Sequence, residues 1–331
     1  MEFTTSKKKL LQLMSDGRCH SGRELAYTLE ISRSAVWKQV RSLCRLGLEI
    51  GAVPGKGYRL SHPVELLDKN RIETELAGRT RDLLQRLEIY DEIPSTSGHL
   101  VAGISGSTPS GAVCLAERQT AGKGRMGREW VSPLGRNIYL SVLWCFTGGP
   151  AVLTGLSVAT GVAVMRALVD AGITEAGLKW PNDIMWQRRK VGGILVEVSG
   201  ENYGPCAAVV GVGLNMYVPA RVGEAITQPW ADIEQMEVPE APPRNRLVAL
   251  VLNQLLPLLA DYERTGLEPY LPEWAEWDCL SGEEVTLFSG SSAIRGTVRG
   301  ITNDGMLLIE NETDGIKPYA SGEVTFHPGM S

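Results

Sequence analysis

Gln119-Thr-Ala-Gly-Lys-Gly-Arg-Met-Gly-Arg-Glu-Trp130 is the stretch whose reading decides the fold of the central chain. It sets Gly122, Gly124 and Gly127 among Lys123, Arg125 and Arg128. Glycine lets backbone come close to a ligand. The cations between can hold phosphate or carboxylate oxygens, arginine by a rigid two-pronged fork. As a bare pattern, Gly122-x-Gly124-x-x-Gly127 also fits the dinucleotide fingerprint of a doubly wound sheet. The residues immediately downstream exclude that fold. A fingerprint loop must open a helix, and Pro133 and Gly135 stop one here. Asn137–Trp144 then reads as a strand. No acidic residue stands between Glu129 and Asp170 to take a ribose hydroxyl. Kinase and Walker A readings fail as well: no Val-Ala-Ile-Lys strand comes next, and both Gly-Lys pairs precede glycine. A flexible surface loop is the plain alternative. Trp130 and the strong strand after it favour a built anion site.

Around this loop the chain alternates strands and helices. Strand-like runs are Glu88–Tyr90, Ala112–Glu117, Asn137–Trp144, Gly177–Trp180, Asp183–Trp186, Lys190–Val198 and Ala207–Asn215. Helical runs are Asn70–Ala77, Thr96–Ile104, Leu153–Ala171 and Arg244–Arg264, the last with a bend expected at Pro257. Successive strands with few helices between them predict an α+β domain with a mixed or largely antiparallel sheet. From about Cys279 the pattern is all β, with turns at Asn303-Asp-Gly and Thr313-Asp-Gly, predicting a small barrel of roughly 50 residues.

The N-terminal segment differs in charge. Residues 1–60 carry a net +6, and the remainder −11. A basic module on an acidic body fits polyanion binding. Ser21 with Glu24 forms a capping box, and Ser32 caps a helix that Gly47 ends. Pro54-Gly-Lys-Gly57 tips a hairpin. Two short helices, a turn and a basic wing predict a winged helix-turn-helix. Ser32, Arg33, Ser34, Trp37, Lys38, Arg41 and Lys56 are the residues expected to meet DNA. The plain alternative is a small helical domain with an ordinary charged surface. The expected regions are 1–64, 65–278 and 279–331.

The whole chain has 331 residues, 43% hydrophobic and 21% charged, with enough apolar material for a sizeable core. No run reaches about 18 apolar residues, and the longest candidate, Ala151–Met165, reads as a buried helix. Cys19, Cys44, Cys114, Cys145, Cys206 and Cys279 form no C-x-x-C pair, so neither a zinc site nor a disulfide framework is expected. The cytoplasm is the expected compartment.

Lys179-Trp-Pro-Asn-Asp183 and Lys190-Val-Gly-Gly-Ile-Leu-Val-Glu197 join the glycine loop as candidate site motifs. Taken alone, each could be a hairpin with a solvated lysine, as Pro94-Ser-Thr-Ser97 could be an N-cap and Gly211–Asn215 a buried strand. Together and in this order they resemble the biotin–protein ligases, in the bifunctional form that also represses biotin genes. The resemblance runs from about residue 6 to 327. It implies a class II synthetase-like central domain and an SH3-like C-terminal barrel. It implies activation of biotin by ATP and Mg2+ to biotinyl-5′-adenylate, with no resident metal, and transfer to a lysine of a biotin carboxyl carrier protein. It implies a homodimer on operator DNA when the adenylate is bound.

By the same resemblance, Ser95, Thr96, Ser97 and Gln119 line the biotin pocket. Lys123, Gly124, Arg125 and Lys190 lie along the biotin carboxylate. Arg125 and Arg128 hold phosphate, and Trp130, Asn182, Asn215 and Trp230 lie near the adenylate. Asp183 acts on the incoming amine, and Lys179 belongs with the catalytic group. Lys123 keeps the charge but not the fork of the arginine many relatives carry. Met126 stands where some repressing members have arginine. The competing readings are a ligand-sensing regulator without catalysis and a lipoyl-transfer enzyme, the latter disfavoured by the arginine loop and the winged helix.

Overall fold

The computed structural model describes residues 3–326 except 107, 201–203, 237, 239–240 and 291. The outer ends of the first and third expected regions, residues 1–2 and 327–331, fall outside the described residues.

Helices α1 (Thr5–Met14), α2 (Gly22–Thr28) and α3 (Arg33–Arg45) precede the hairpin β1 (Ile50–Val53) and β2 (Gly57–Leu60). Ser21 and Glu24 cap α2 reciprocally, and Ser32 Oγ accepts the Ala35 N–H at 3.1 Å. Val36, Val40 and Leu43 turn α3 inward onto Leu10, Leu11, Met14 and Leu25. This small core also takes Leu134, which comes from the chain just beyond the arginine loop.

The central region adds α4 (Lys69–Thr74), α5 (Gly78–Leu83), β3 (Arg86–Tyr90), α6 (Thr96–Gly103), β4 (Ala112–Ala116), β5 (Ile138–Phe146), α7 (Leu156–Asp170), β6 (Gly177–Lys179), β7 (Asp183–Trp186), β8 (Arg189–Gly200), β9 (Cys206–Leu214), α8 (Ala220–Gly223), α9 (Arg244–Thr265) and α10 (Leu271–Trp277). Seven strands form one mixed sheet in the order β3-β4-β5-β9-β8-β7-β6. Among these strands only β3 and β4 pair in parallel, which rules out a doubly wound sheet. The helix expected over Leu153–Ala171 is split. A 3-10 turn at Pro150–Leu153 meets Gly155 at φ +77°, and α7 starts beyond it. The segment Pro150–Asp170 is long and apolar enough to cross a membrane, yet nearly every face of α7 is buried in the central core. Helix α9 runs through Pro257 without ending there.

The last region is a five-stranded antiparallel sheet, β10 (Glu284–Ser289), β11 (Ser292–Ile301), β12 (Leu307–Asn311), β13 (Gly315–Tyr319) and β14 (Glu323–Phe326), in the order β13-β12-β11-β10-β14. Strand β13 is an exposed edge strand containing Pro318, which an edge tolerates. Val285, Leu287, Val298, Leu307, Ile309 and Val324 belong to the same apolar cluster as α7, α9 and the central sheet.

Candidate active site

The site begins where α6 starts. Ser95 caps it, accepting the Gly98 N–H at 3.2 Å, and its Oγ lies 3.1 Å from Ser97 Oγ. The Thr96 N–H and hydroxyl donate to Gln119 Oε1 at 2.9 and 3.2 Å. Ser141 Oγ lies 2.8 Å from Thr96 Oγ1, and Gln119 Nε2 donates to Ser132 Oγ at 3.1 Å. All these groups are buried, so the network fixes the polar end of a cleft. Tyr139, Gly193, Gly211 and Gly213 line the same cleft. Ser141 was not among the expected residues. Its signal was a hydroxyl at an alternate position of an otherwise apolar strand, on the same face as Tyr139.

The arginine loop is a short hairpin. Gly124 N donates to Arg128 O at 2.7 Å, and Trp130 N donates to Gly122 O at 2.9 Å. Its tip holds Met126 at φ 56° and Gly127 at φ 74°, and Met126 is 78% exposed. Trp130 leaves the hairpin and lays its indole on a glycine pair. Gly193 and Gly213 face each other across β8 and β9, and a β-carbon on Gly213 would lie 2.7 Å from the ring.

A second cleft adjoins the first and shares Gly124, Arg125, Trp130, Asn182 and Lys190 with it. Arg128, Glu129, Lys179, Asp183, Asn215, Trp230 and Gly322–Val324 are also in its wall, with the segment from Ala225 to Gln228. At the junction Lys190 Nζ lies 2.6 Å from Asp183 Oδ1, and Lys179 Nζ lies 4.0 Å from Asp183 Oδ2. The β7–β8 hairpin makes this pairing by placing Asp183 opposite Gly193 with a bulge after Ile184. Arg125 Nη1 donates to Asn182 Oδ1 at 2.9 Å, and Asn182 Nδ2 donates to Ile194 O at 2.8 Å. Arg128 pairs with Glu323 of β14 at 2.7 Å, and Lys123 lies 3.6 Å from Glu197. Asn215 donates to Ala231 O and accepts from Asn137, so it is a structural tie as well as a wall residue. Trp230 sits on Gly223, and the chain beside it pairs with the Lys190 backbone through Pro229 O and Ala231 N.

The structure therefore brings every expected ligand-site residue to one of the two clefts. Among the described residues, five cations, Lys123, Arg125, Arg128, Lys179 and Lys190, stand in or beside the clefts with four carboxylates, Glu129, Asp183, Glu197 and Glu323. The surplus of positive charge suits an anion. Burial lowers the Lys179 pKa against the opposing pull of Asp183, and burial lowers that of Arg125 too. Glu197 ends a motif the sequence singled out but had no role there, and Glu323 was not foreseen; both lie on strands far along the chain from the cations they meet.

On α3, Arg33, Lys38 and Arg41 are exposed, and Trp37 is 47% exposed with the Arg41 guanidinium 4.7 Å from its ring centre. Lys56 is exposed at the wing tip. Ser32 and Ser34 bond to each other at 2.9 Å, and Ser32 also caps the helix.

The chain thus joins a helix-turn-helix to a mixed sheet that carries a paired, cation-rich cleft. Residues 93–215 match the Biotin/lipoate A/B protein ligase family, residues 5–59 an HTH domain, and residues 280–326 the Biotin protein ligase C terminal domain. The Escherichia coli bifunctional ligase/repressor BirA is 37% identical over 98% of this chain and 98% of its own. The Bacillus subtilis protein of the same name is 28% identical over 97% of this chain and 98% of its own. An Aquifex aeolicus biotin protein ligase, solved with biotin and ATP, superposes with a TM-score of 0.61 at 26% identity, over 74% of this chain and 99% of that one. The chain belongs to the biotin protein ligase family, in its bifunctional ligase/repressor form, and is an enzyme of the ligase class.

Proposed function

We propose that this enzyme activates biotin with ATP and passes the biotinyl group to a lysine of a biotin carboxyl carrier protein. The observation that carries this reading is the pair of clefts meeting at the Lys190–Asp183 ion pair. The first cleft offers a polar end, formed by Ser95, Thr96, Ser97 and Gln119, to the ureido group. Its mouth offers Lys123, Gly124, Arg125 and Lys190 to the carboxylate. The second cleft takes ATP, with Arg125 and Arg128 on phosphate and Trp130, Asn182, Asn215 and Trp230 around the nucleoside. Mg2+ enters with ATP as part of the substrate complex.

A biotin carboxylate oxygen attacks the α-phosphorus, the bond to the bridging oxygen breaks, and pyrophosphate leaves. Two anions approach each other in this step. The cations around the junction offset their repulsion and hold the groups in line. Next, the lysine nitrogen of the carrier attacks the acyl carbon, and the acyl–oxygen bond breaks to release AMP. Asp183 takes the amine proton or orients the amine; Lys179 and Lys190 hold this carboxylate in place. The loop shields the mixed anhydride from water.

In the same reading, residues 1–64, 65–278 and 279–331 are the DNA-binding, ligase and barrel units. The adenylate-bound chain dimerises and binds operator DNA through Arg33, Ser34, Trp37, Lys38, Arg41 and Lys56, and it works in the cytoplasm. The test is biotin-dependent pyrophosphate release from ATP-Mg, run beside Lys190→Ala and Arg125→Ala. Biotin-dependent release that either variant abolishes or slows strongly is expected. Release that both variants retain in full overturns the roles assigned to these residues.

A further inference from the structure

The winged helix meets the chain that flanks the second cleft through one compact polar cluster. Tyr217 stands two residues beyond Asn215, at the head of the segment that continues to Trp230. Its hydroxyl donates to Glu49 Oε2, in the DNA-binding module, at 2.5 Å. Its ring centre lies 4.4 Å from that of His62 and 4.7 Å from the Arg136 guanidinium. Arg136 is buried and donates to the carbonyls of His62 and Pro63 at 3.3 and 3.1 Å. His62 also lies 3.8 Å from Glu49 and 3.6 Å from Glu234, a residue just past the cleft segment. A second contact runs alongside. A β-carbon on Gly47, at the end of α3, would meet Val222 of α8 at 3.3 Å, and the adjacent Gly223 carries the Trp230 ring.

The cleft segment is thus held at both flanks by groups outside the ligase domain's own core. Neither Glu49 nor Tyr217 lines a cleft, yet Glu49 bonds a residue two positions beyond Asn215, which does line the second one. We infer that Glu49 of the winged helix, acting through Tyr217, is a positioning residue for the nucleotide-side cleft. The consequence is that part of the ATP affinity of the ligase is supplied by the DNA-binding module.

This rests on the proposed ligase activity, and the experiment separates the two. ATP affinity is measured by calorimetry, and KM and kcat by pyrophosphate release, in the full chain and in Glu49→Leu, which has no acceptor, Tyr217→Phe and the double variant. Each single change is expected to raise the Kd and KM for ATP about threefold to tenfold with kcat within twofold. The double change is expected to match the larger single effect, because both break one link. Glu49→Asp, which keeps the acceptor, is expected to recover part of the loss. Unchanged ATP affinity in both singles, with or without a lower Tm, overturns the inference. Additive effects in the double variant overturn it too, because they place the residues on separate routes. Absence of pyrophosphate from the wild-type chain counts against the ligase reading, while the calorimetric comparison still decides this one.

Discussion

The indole of Trp130 rests on the α-carbon of Gly213 so closely that a single added methyl would meet it at 2.7 Å. This fixes the ring between the two clefts, where Lys190 Nζ lies 5.5 Å from its centre. Gly213→Ala forces the ring out of its seat. The backbone there is ordinary strand, so the cost is steric and local, about 1–3 kcal/mol for overpacking. We expect biotin-dependent pyrophosphate release to fall at least tenfold while the chain stays folded. Full activity in a folded Gly213→Ala protein would show that the seat of the ring is immaterial.

Lys190 and Asp183 share an ion pair, but the two proposed steps ask different things of them. Lys190→Ala removes charge stabilisation from the first step, and a loss of roughly 10²–10³ in adenylate formation is expected. Asp183→Asn keeps the volume and removes the base, so transfer of a preformed adenylate to the carrier slows by roughly 10² or more. Adenylate formation in that variant falls far less. Single-turnover assays of each half-reaction check this split, and equal losses in both steps would refute it.

A stability prediction comes from Arg244, whose guanidinium donates to Glu117 Oε2 at 2.8 Å and to the carbonyls of Glu65 and Asn137. Both partners are almost wholly buried, and Glu117 Oε1 accepts the Leu67 N–H as well. Glu117→Gln leaves the buried cation without its counter-charge, which is expected to cost about 3–5 kcal/mol in urea unfolding. A loss below about 1 kcal/mol, the level of a surface pair, would contradict the burial argument.

The cysteines give a pH-based prediction. Burial raises the thiol pKa of Cys114 and of Cys279 to about 12, with Glu88 adding to the first and Asp278 to the second. The thiolate is the nucleophile, so at pH 8 both thiols stay protonated and unreactive. Cys145 is exposed. Iodoacetamide followed by peptide mass spectrometry is expected to label Cys145 first and to spare Cys114 and Cys279 until the chain unfolds. Early labelling of Cys279 would be the contrary result.

Much of this architecture was legible because its signals are local. Ser32 caps α3 in the structure, and the apolar run of Asn137–Trp144, with its β-branched and aromatic residues, gives β5. The elements that escaped reading have weak local signals. Helix α5 opens at a glycine and has no side-chain cap, and α10 starts beside a proline within a short, aromatic-rich run. The split at Gly155 depends on a left-handed backbone that composition alone does not reveal. In the site, the motifs identified the cations but not their partners. Asp183 meets Lys190 through a hairpin register with a bulge, and Glu323 meets Arg128 from 195 residues away. Only the packing of the last sheet on the central one brings that second pair together.

That packing reaches beyond the site. The last sheet and the central sheet draw on one continuous apolar cluster, while the winged helix has its own core with Leu134 inserted from outside. Heat should therefore divide the chain into two melting units, not three: the ligase body with its C-terminal sheet as one endotherm, the DNA-binding head as the other. A break near residue 279 would not release a tidy module, because it would strip apolar cover from the enzyme it left behind.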